Sequence, residues 1–272
     1  MAQHKEIITT IICSIVVAIT SIAAAIIARE KITKYEVREI STSYDLAKIG
    51  KYYPLNKGNY WIYEGRVITV DGNNKPLEKR VKIKMQVIES YENINNKGIR
   101  LFVMSGHPSD VAKFIVGKGN EKVVGPSKYG YLLIANKIYS VCESEVNEAI
   151  TRIKDGKSFV NQSNASDDTE KHAILDECEF EFPLFKGQRY GDKEQLTRSD
   201  YRYFWYVNDF MNYKYAANGI INEYPQYKIS YLTIPDSVQI DFAPYLGITS
   251  YEYSHTGSRM EAHVDLADYK IN

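Results

Sequence analysis

From Lys51 to the C-terminus the chain alternates apolar and polar residues with a period of two, and this pattern restricts the fold more than any other feature. Residues 79–90 show it best: Val81, Ile83, Met85 and Val87 alternate with Lys82, Lys84, Gln86 and Ile88. Successive side chains of a strand point to opposite faces, so this spacing predicts a half-buried strand with a basic outer face. Residues 60–70 precede it, and Asp71-Gly72-Asn73-Asn74 supplies the turn residues that make the two a hairpin. Further strands are predicted at 99–104, 113–116, 129–135 and 138–142, with breaks at Gly117, Gly119, Gly125 and Asn136. They resume at 201–207, 227–234, 237–242, 248–255 and 260–271. Residues 146–153 read as one or two helical turns and 154–170 as a polar loop. The 23 tyrosines suit such a chain, because aromatic side chains favour strands. The expected class is mainly β: a large curved antiparallel sheet or half-open barrel.

The N-terminus obeys a different rule. Ile7 to Ala28 is a run of 22 residues without a charge. As a helix it would span roughly 33 Å at about 1.5 Å per residue, close to one hydrocarbon core. The run is apolar all round rather than along one stripe, which argues against a core helix. Ala23 and Ala25 offer a small-x-small cleavage site, but the run exceeds the roughly 7–15 apolar residues of a signal peptide. Residues 1–28 are therefore read as a transmembrane anchor and 29–50 as a juxtamembrane stalk. Four basic residues (Arg29, Lys31, Lys34, Arg38) lie after the run and one (Lys5) precedes it, so a literal charge count would place the C-terminal side in the cytoplasm. The preceding tail is only six residues long and fits a signal anchor that exports the rest of the chain, so the β region is expected outside the cytoplasm.

Charge is distributed in blocks. The chain has 34 basic and 34 acidic residues, and this balance argues against nucleic acid as a partner, whose binding needs a cationic surplus. Residues 51–135 hold 14 basic and 7 acidic residues, whereas 143–181 hold 4 and 11. The acidic insert 143–181 is expected to lie over the basic strand face around Lys82 and Lys84.

An internal repeat divides the β region 51–272 into halves, 51–142 and 182–272. Tyr53-Pro54-Leu55-Asn56-Lys57-Gly58-Asn59-Tyr60-Trp61 recurs as Phe182-Pro183-Leu184-Phe185-Lys186-Gly187-Gln188-Arg189-Tyr190 at an offset of 129. Proline stops the preceding segment, leucine plugs the core, glycine turns the chain and an aromatic opens the next strand. The pattern Tyr53-Pro54-Leu55-x-x-Gly58-x-x-Trp61-x-Tyr63 resembles the Y-F-P-L-x-x-G-x-x-W-x-Y opening of bacterial exported or membrane-anchored, lipoprotein-like proteins of unknown function. Those often carry a second P-L-x-x-G element, here Pro183, Leu184 and Gly187, and a late P-G-x-G stretch, here Pro244 to Gly247. Two departures stand out: Tyr190 replaces the second Trp, and Tyr245 replaces the Gly after Pro244. The resemblance implies a curved antiparallel sheet in the cell envelope and no catalytic residues.

Chemical motifs are scarce. The five histidines show no metal-ligand spacing, and no nucleotide or metal cofactor motif is present, so no cofactor and no metal are expected. No G-x-S-x-G occurs, and Gly117-Lys118-Gly119 lacks a phosphate-loop frame. His263 and Asp265 share a strand face near His255, which reads more simply as a solvated outer face than as a site. Cys142 and Cys178 either form a disulfide, worth roughly 3–4 kcal/mol for a loop of that length, or remain two buried thiols. Trp61 with Tyr63 and Tyr203 with Trp205 share strand faces, where they either pack a core or line an apolar groove. The leading expectation is a non-enzymatic, membrane-anchored envelope protein whose β domain binds a lipid, a glycan or an envelope protein. The alternatives are an envelope hydrolase whose site is assembled from separate strands, and a structural subunit of a membrane complex.

Overall fold

A computed structural model of the chain describes residues 52–71, 73–114, 126–157, 159, 178–217, 220–257 and 260–272. The expected anchor Ile7 to Ala28 and the stalk 29–50 lie outside the described residues. Among the described residues no helix is long and apolar enough to cross a membrane.

Among the described residues twelve antiparallel strands form one nearly closed, barrel-shaped sheet. The first six are β1 (Tyr60–Val70), β2 (Pro76–Glu92), β3 (Ile99–Ser105), β4 (Lys128–Ile134), β5 (Lys137–Val141) and β6 (Cys178–Glu181). The second six are β7 (Arg189–Tyr190), β8 (Trp205–Ala217), β9 (Ile220–Leu232), β10 (Asp236–Ala243), β11 (Gly247–His255) and β12 (Met260–Lys270). Each set is an up-and-down meander. β1 pairs with β12 along its length, which joins the halves, while β6 and β7 stand at the two ends of the strand order.

The repeated device does the same work twice. Gly58 N–H donates to the Val87 carbonyl at 2.9 Å, and Val87 N–H returns to the Asn59 carbonyl at 3.0 Å. In the second half Gly187 N–H donates to Val207 at 2.8 Å, and Val207 N–H to Gln188 at 3.0 Å. Both glycines adopt left-handed backbone, φ 90° and 87°, which a residue with a Cβ adopts only with strain. Both valines sit at a register shift, in β2 and in β8. Leu55 and Leu184 are buried alike, as are Tyr53 and Phe182. Each device docks on a β turn of the other half: Tyr245 N–H bonds the Tyr52 carbonyl, and Phe182 N–H bonds that of Asn136. Gly247 belongs to the same junction, because a Cβ there would stand 2.9 Å from the Tyr53 ring and 3.3 Å from Trp61 Nε1. Pro244 is buried beside it.

The main core fills the barrel and draws on both halves, with Trp61, Tyr63, Met85, Tyr131, Phe180, Phe242 and Val264 fully buried. A second cluster lies on the opposite face of β3–β5, under helix α1 (Val146–Lys154). Its Val146, Ala149 and Ile153 pack against Leu101, Leu132 and Val141, and burial of each large aliphatic contributes about 1.5–3 kcal/mol. Gly130 on β4 makes the room, since a Cβ there would meet Leu101 at 2.9 Å.

Two local expectations are corrected. Residues 108–114 form a 3-10 turn, not the start of a strand, because Pro108 opens it and the Asp110 carboxylate accepts from His107 N–H at 3.0 Å. β8 starts only at Trp205, because Tyr201 and Tyr203 take left-handed φ values of 55° and 66°. Among the described residues the basic face of β2 is answered from β1 and not by the acidic insert: Lys82 Nζ bonds Glu64 at 2.7 Å, and Lys84 Nζ lies 4.7 Å from the Tyr60 ring centroid. In the described part of that insert Glu148 and Asp155 pair with Arg152 and Lys157, while its most acidic stretch, 166–170, lies outside the described residues.

Candidate functional site

A cavity of about 470 Å³ opens among β4, β5, β6, β8 and β10, beside the gap between the two ends of the sheet. That volume lies within the range of small-molecule sites. One wall is aromatic: Tyr203, Trp205, Tyr231 and Tyr251. The other is polar: His107, Ser109, Glu179 and their neighbours.

The polar wall is built from the residues that the barrel brings furthest. Gly106, at φ 74°, lets the chain before the 3-10 turn approach β2, where a Cβ would stand 3.1 Å from the Lys84 carbonyl carbon. Asp110 then fixes the turn by accepting from His107 N–H, Ser127 N–H at 3.2 Å and the Ser127 hydroxyl at 2.6 Å. This aims His107 into the barrel. Its Nδ1 accepts the Ser109 N–H at 3.1 Å and lies 2.6 Å from the Ser109 hydroxyl. With Nδ1 accepting, Nε2 is the donor, and it lies 2.9 Å from the Tyr131 hydroxyl. Tyr131 donates in turn to Glu179 Oε1 at 2.9 Å, and His107 Nε2 is 3.5 Å from the same oxygen. The chain Ser109–His107–Tyr131–Glu179 thus links the 3-10 turn, β4 and β6.

Burial, and after it the Glu179 carboxylate, holds the Tyr131 and Tyr53 phenols well above their ordinary value; Tyr129 is raised alike, by burial first. All three stay protonated. The Tyr129 hydroxyl is enclosed and has no hydrogen-bond partner in good geometry, although Tyr129 borders the cavity.

The residues singled out from sequence part company here. Tyr203 and Trp205 line the cavity, with Trp205 stacked on Tyr190 at 6.5 Å and tilted against Tyr231 at 5.1 Å. Trp61 and Tyr63 do not line it. They lie in the sealed core, where Trp61 Nε1 donates to the Leu246 carbonyl at 2.6 Å and the Tyr63 hydroxyl to that of Ile248 at 3.0 Å. They clamp β1 to the turn between β10 and β11. Cys142 and Cys178 both border the cavity as free thiols, one exposed and one buried, rather than as a disulfide. Burial pushes the Cys178 thiol up to about 12. His263 bridges Asp265 at 2.8 Å and Glu252 at 3.1 Å on the exposed face, and His255 pairs with Asp236 instead, at 2.7 Å. Among the described residues no group of three or more acidic, His or Cys side chains could hold a metal ion.

His107, Tyr131 and Glu179 carried no signal in the sequence. They stand 24 and 48 residues apart, on a turn and two strands, and no local spacing marks them.

No protein-family model matches the chain, and no curated protein matches it in sequence. Among solved structures it is similar to a protein from Bacteroides fragilis NCTC 9343 named as exported and as having a YmcC-like fold, at 10% identity and a TM-score of 0.36 over 80% of this chain and 98% of that one. It is also similar to a protein from Parabacteroides distasonis ATCC 8503 named as a lipoprotein, at 12% identity and a TM-score of 0.28 over 80% and 98%. A DUF1329 family protein from Desulfovibrio piger ATCC 29098 is similar at 8% identity and a TM-score of 0.23, over 84% and 91%. With TM-scores below 0.5, these likenesses assign neither a family nor an activity to the chain.

Proposed function

We propose that the β domain is a ligand-binding module of the cell envelope. It takes a small amphipathic molecule whose apolar body lies along Trp205, Tyr231 and Tyr251 and whose polar end meets Glu179. The observation that carries this reading is the coincidence, in one cavity of about 470 Å³, of an aromatic wall and a nearly buried polar wall. Specific small-molecule sites combine these two features. Native mass spectrometry of the gently extracted chain tests it. The expected spectrum contains a bound small molecule that Trp205→Ala removes; repeated ligand-free spectra of the wild type contradict the reading. The uncharged run Ile7 to Ala28 supports a membrane tether with the β domain outside, and a C-terminal reporter active only outside the cytoplasm tests that separately.

A second reading rests on Ser109. Its hydroxyl lies 2.6 Å from His107 Nδ1, and His107 is backed through Tyr131 by Glu179, the order of groups that activates a serine nucleophile. Under this reading the cavity hydrolyses an acyl ester. Turnover of short p-nitrophenyl esters that Ser109→Ala abolishes would support it, and equal rates for the two proteins would remove it.

A further inference from the structure

We infer that the polar end of the ligand is a cation, specifically a primary ammonium group carried on an apolar body; this rests on the binding reading above.

Glu179 is 7% exposed, yet the protein satisfies only half of its carboxylate. Oε1 accepts from Tyr131, while Oε2 has no protein donor and is not sealed among the buried orphan atoms. It therefore opens onto the cavity that Glu179 borders. His107 accepts the Ser109 N–H on Nδ1 and directs Nε2 at the Tyr131 hydroxyl, and its approach to Glu179, 3.5 Å, is to Oε1, so Oε2 is left unmet. A nearly buried carboxylate oxygen without a donor is costly, and an arriving cation relieves that cost.

The surroundings favour the same sign. Among the described residues Asp110, Glu143, Glu179 and Asp192 border the cavity, and the one lysine there is Lys128. An ammonium group has three donors and no acceptor, which matches a free carboxylate oxygen. A carboxylate or phosphate ligand would meet Glu179 with like charge. The faces of Trp205 and Tyr231 suit the apolar body and add attraction for the positive end.

Isothermal titration of the detergent-solubilised full chain at pH 7 tests this with three probes of one length: hexylammonium, 1-hexanol and hexanoate. Hexylammonium is expected to bind at least about tenfold more tightly than the other two, the scale of one charge-assisted hydrogen bond. Glu179→Gln, which keeps an acceptor for Tyr131, is expected to bring hexylammonium to within about twofold of hexanol. Hexanol or hexanoate binding as tightly as hexylammonium would overturn the cation assignment and leave the cavity reading standing. Failure of all three to bind would overturn both. The wild-type probe series decides the matter even where Glu179→Gln fails to fold.

Discussion

Gly65 sits where the two halves of the barrel meet, between Val81 of β2 and Val264 of β12. A Cβ placed on it would stand 2.7 Å from Val264 Cα and 2.9 Å from the His263 carbonyl carbon, and nearer still to the carbonyl oxygen. Ordinary carbon contacts settle at about 3.5–4.0 Å, so β12 must retreat by roughly 1 Å. These are backbone atoms in a continuous ladder, and no flexible side chain can give way. A retreat of roughly 1 Å forfeits two or three ladder hydrogen bonds at about 1 kcal/mol each, on top of about 1–3 kcal/mol for overpacking. Gly65→Ala is therefore expected to cost about 3–6 kcal/mol, a large share of a typical folding free energy of about 5–15 kcal/mol. Urea unfolding followed by far-UV circular dichroism reads this as a lower midpoint, and thermal melting as a Tm lowered by about 10 °C. A Gly65→Ala protein within about 1 kcal/mol of wild type, with the same sheet spectrum, would refute the close approach of β1 and β12.

Gly187→Ala makes a control for the same measurement: nothing lies within 4 Å of its Cβ position, so only the left-handed φ of 87° is charged, and the expected loss is about 1 kcal/mol. Asp241 gives a pH signature. Burial pushes its carboxyl up to about 6, with Glu252 and Asp265 adding and Lys228 and His263 opposing. A folded pKa above the unfolded value makes stability highest below about pH 4 and lowers it as pH rises through about 6, by about 1–2 kcal/mol once partial exposure is allowed for. Asp241→Asn is expected to flatten that decline in urea midpoints measured from pH 4 to 7.5. Iodoacetamide at pH 8, with peptide mapping as the readout, is expected to modify exposed Cys142 at least about a hundredfold faster than Cys178, whose thiol is buried and shifted to about 12; equal rates would contradict their placement.

Period-two alternation located β1 to the residue and most other strands within a few residues, because one face of each strand packs a core and the other meets solvent. The rule failed where aromatic content outran backbone geometry. Tyr201 and Tyr203 look like strand residues by type, but their left-handed φ values bend the chain into the cavity rim instead. The same blindness left Trp61 and Tyr63 open between core and groove: alternation tells that they share a face, not whether that face is sealed by Leu246 and Ile248 from the other half. The site itself was the least legible part. Its polar wall joins His107, Tyr131 and Glu179 only once the meander has been closed, and closure depends on long-range pairing that no local window contains.

The repeat explains why the cavity lies where it does. If the two halves were alike throughout, β6 would pair with β7 as β12 pairs with β1, and the barrel would close. The devices are equivalent down to their hydrogen bonds, yet the strands they open are not: β1 runs for 11 residues, whereas β7 runs for two. β6 is also short, at four residues. Among the described residues no backbone ladder joins these two stubs; side chains cross instead, with the Tyr190 hydroxyl reaching the Glu179 carbonyl at 3.0 Å and Gln188 Nε2 reaching that of Glu181 at 2.7 Å. Where β1 has a continuous strand, the second half turns aside at Gly191 and Asp192, and both line the cavity. The opening is thus the place where one copy of a symmetric closure was shortened. Glu179 stands on one margin of that gap and Trp205 on the other, so a carboxylate and an aromatic wall face each other across it. Lengthening β7 to match β1 would seal the sheet at the expense of the site.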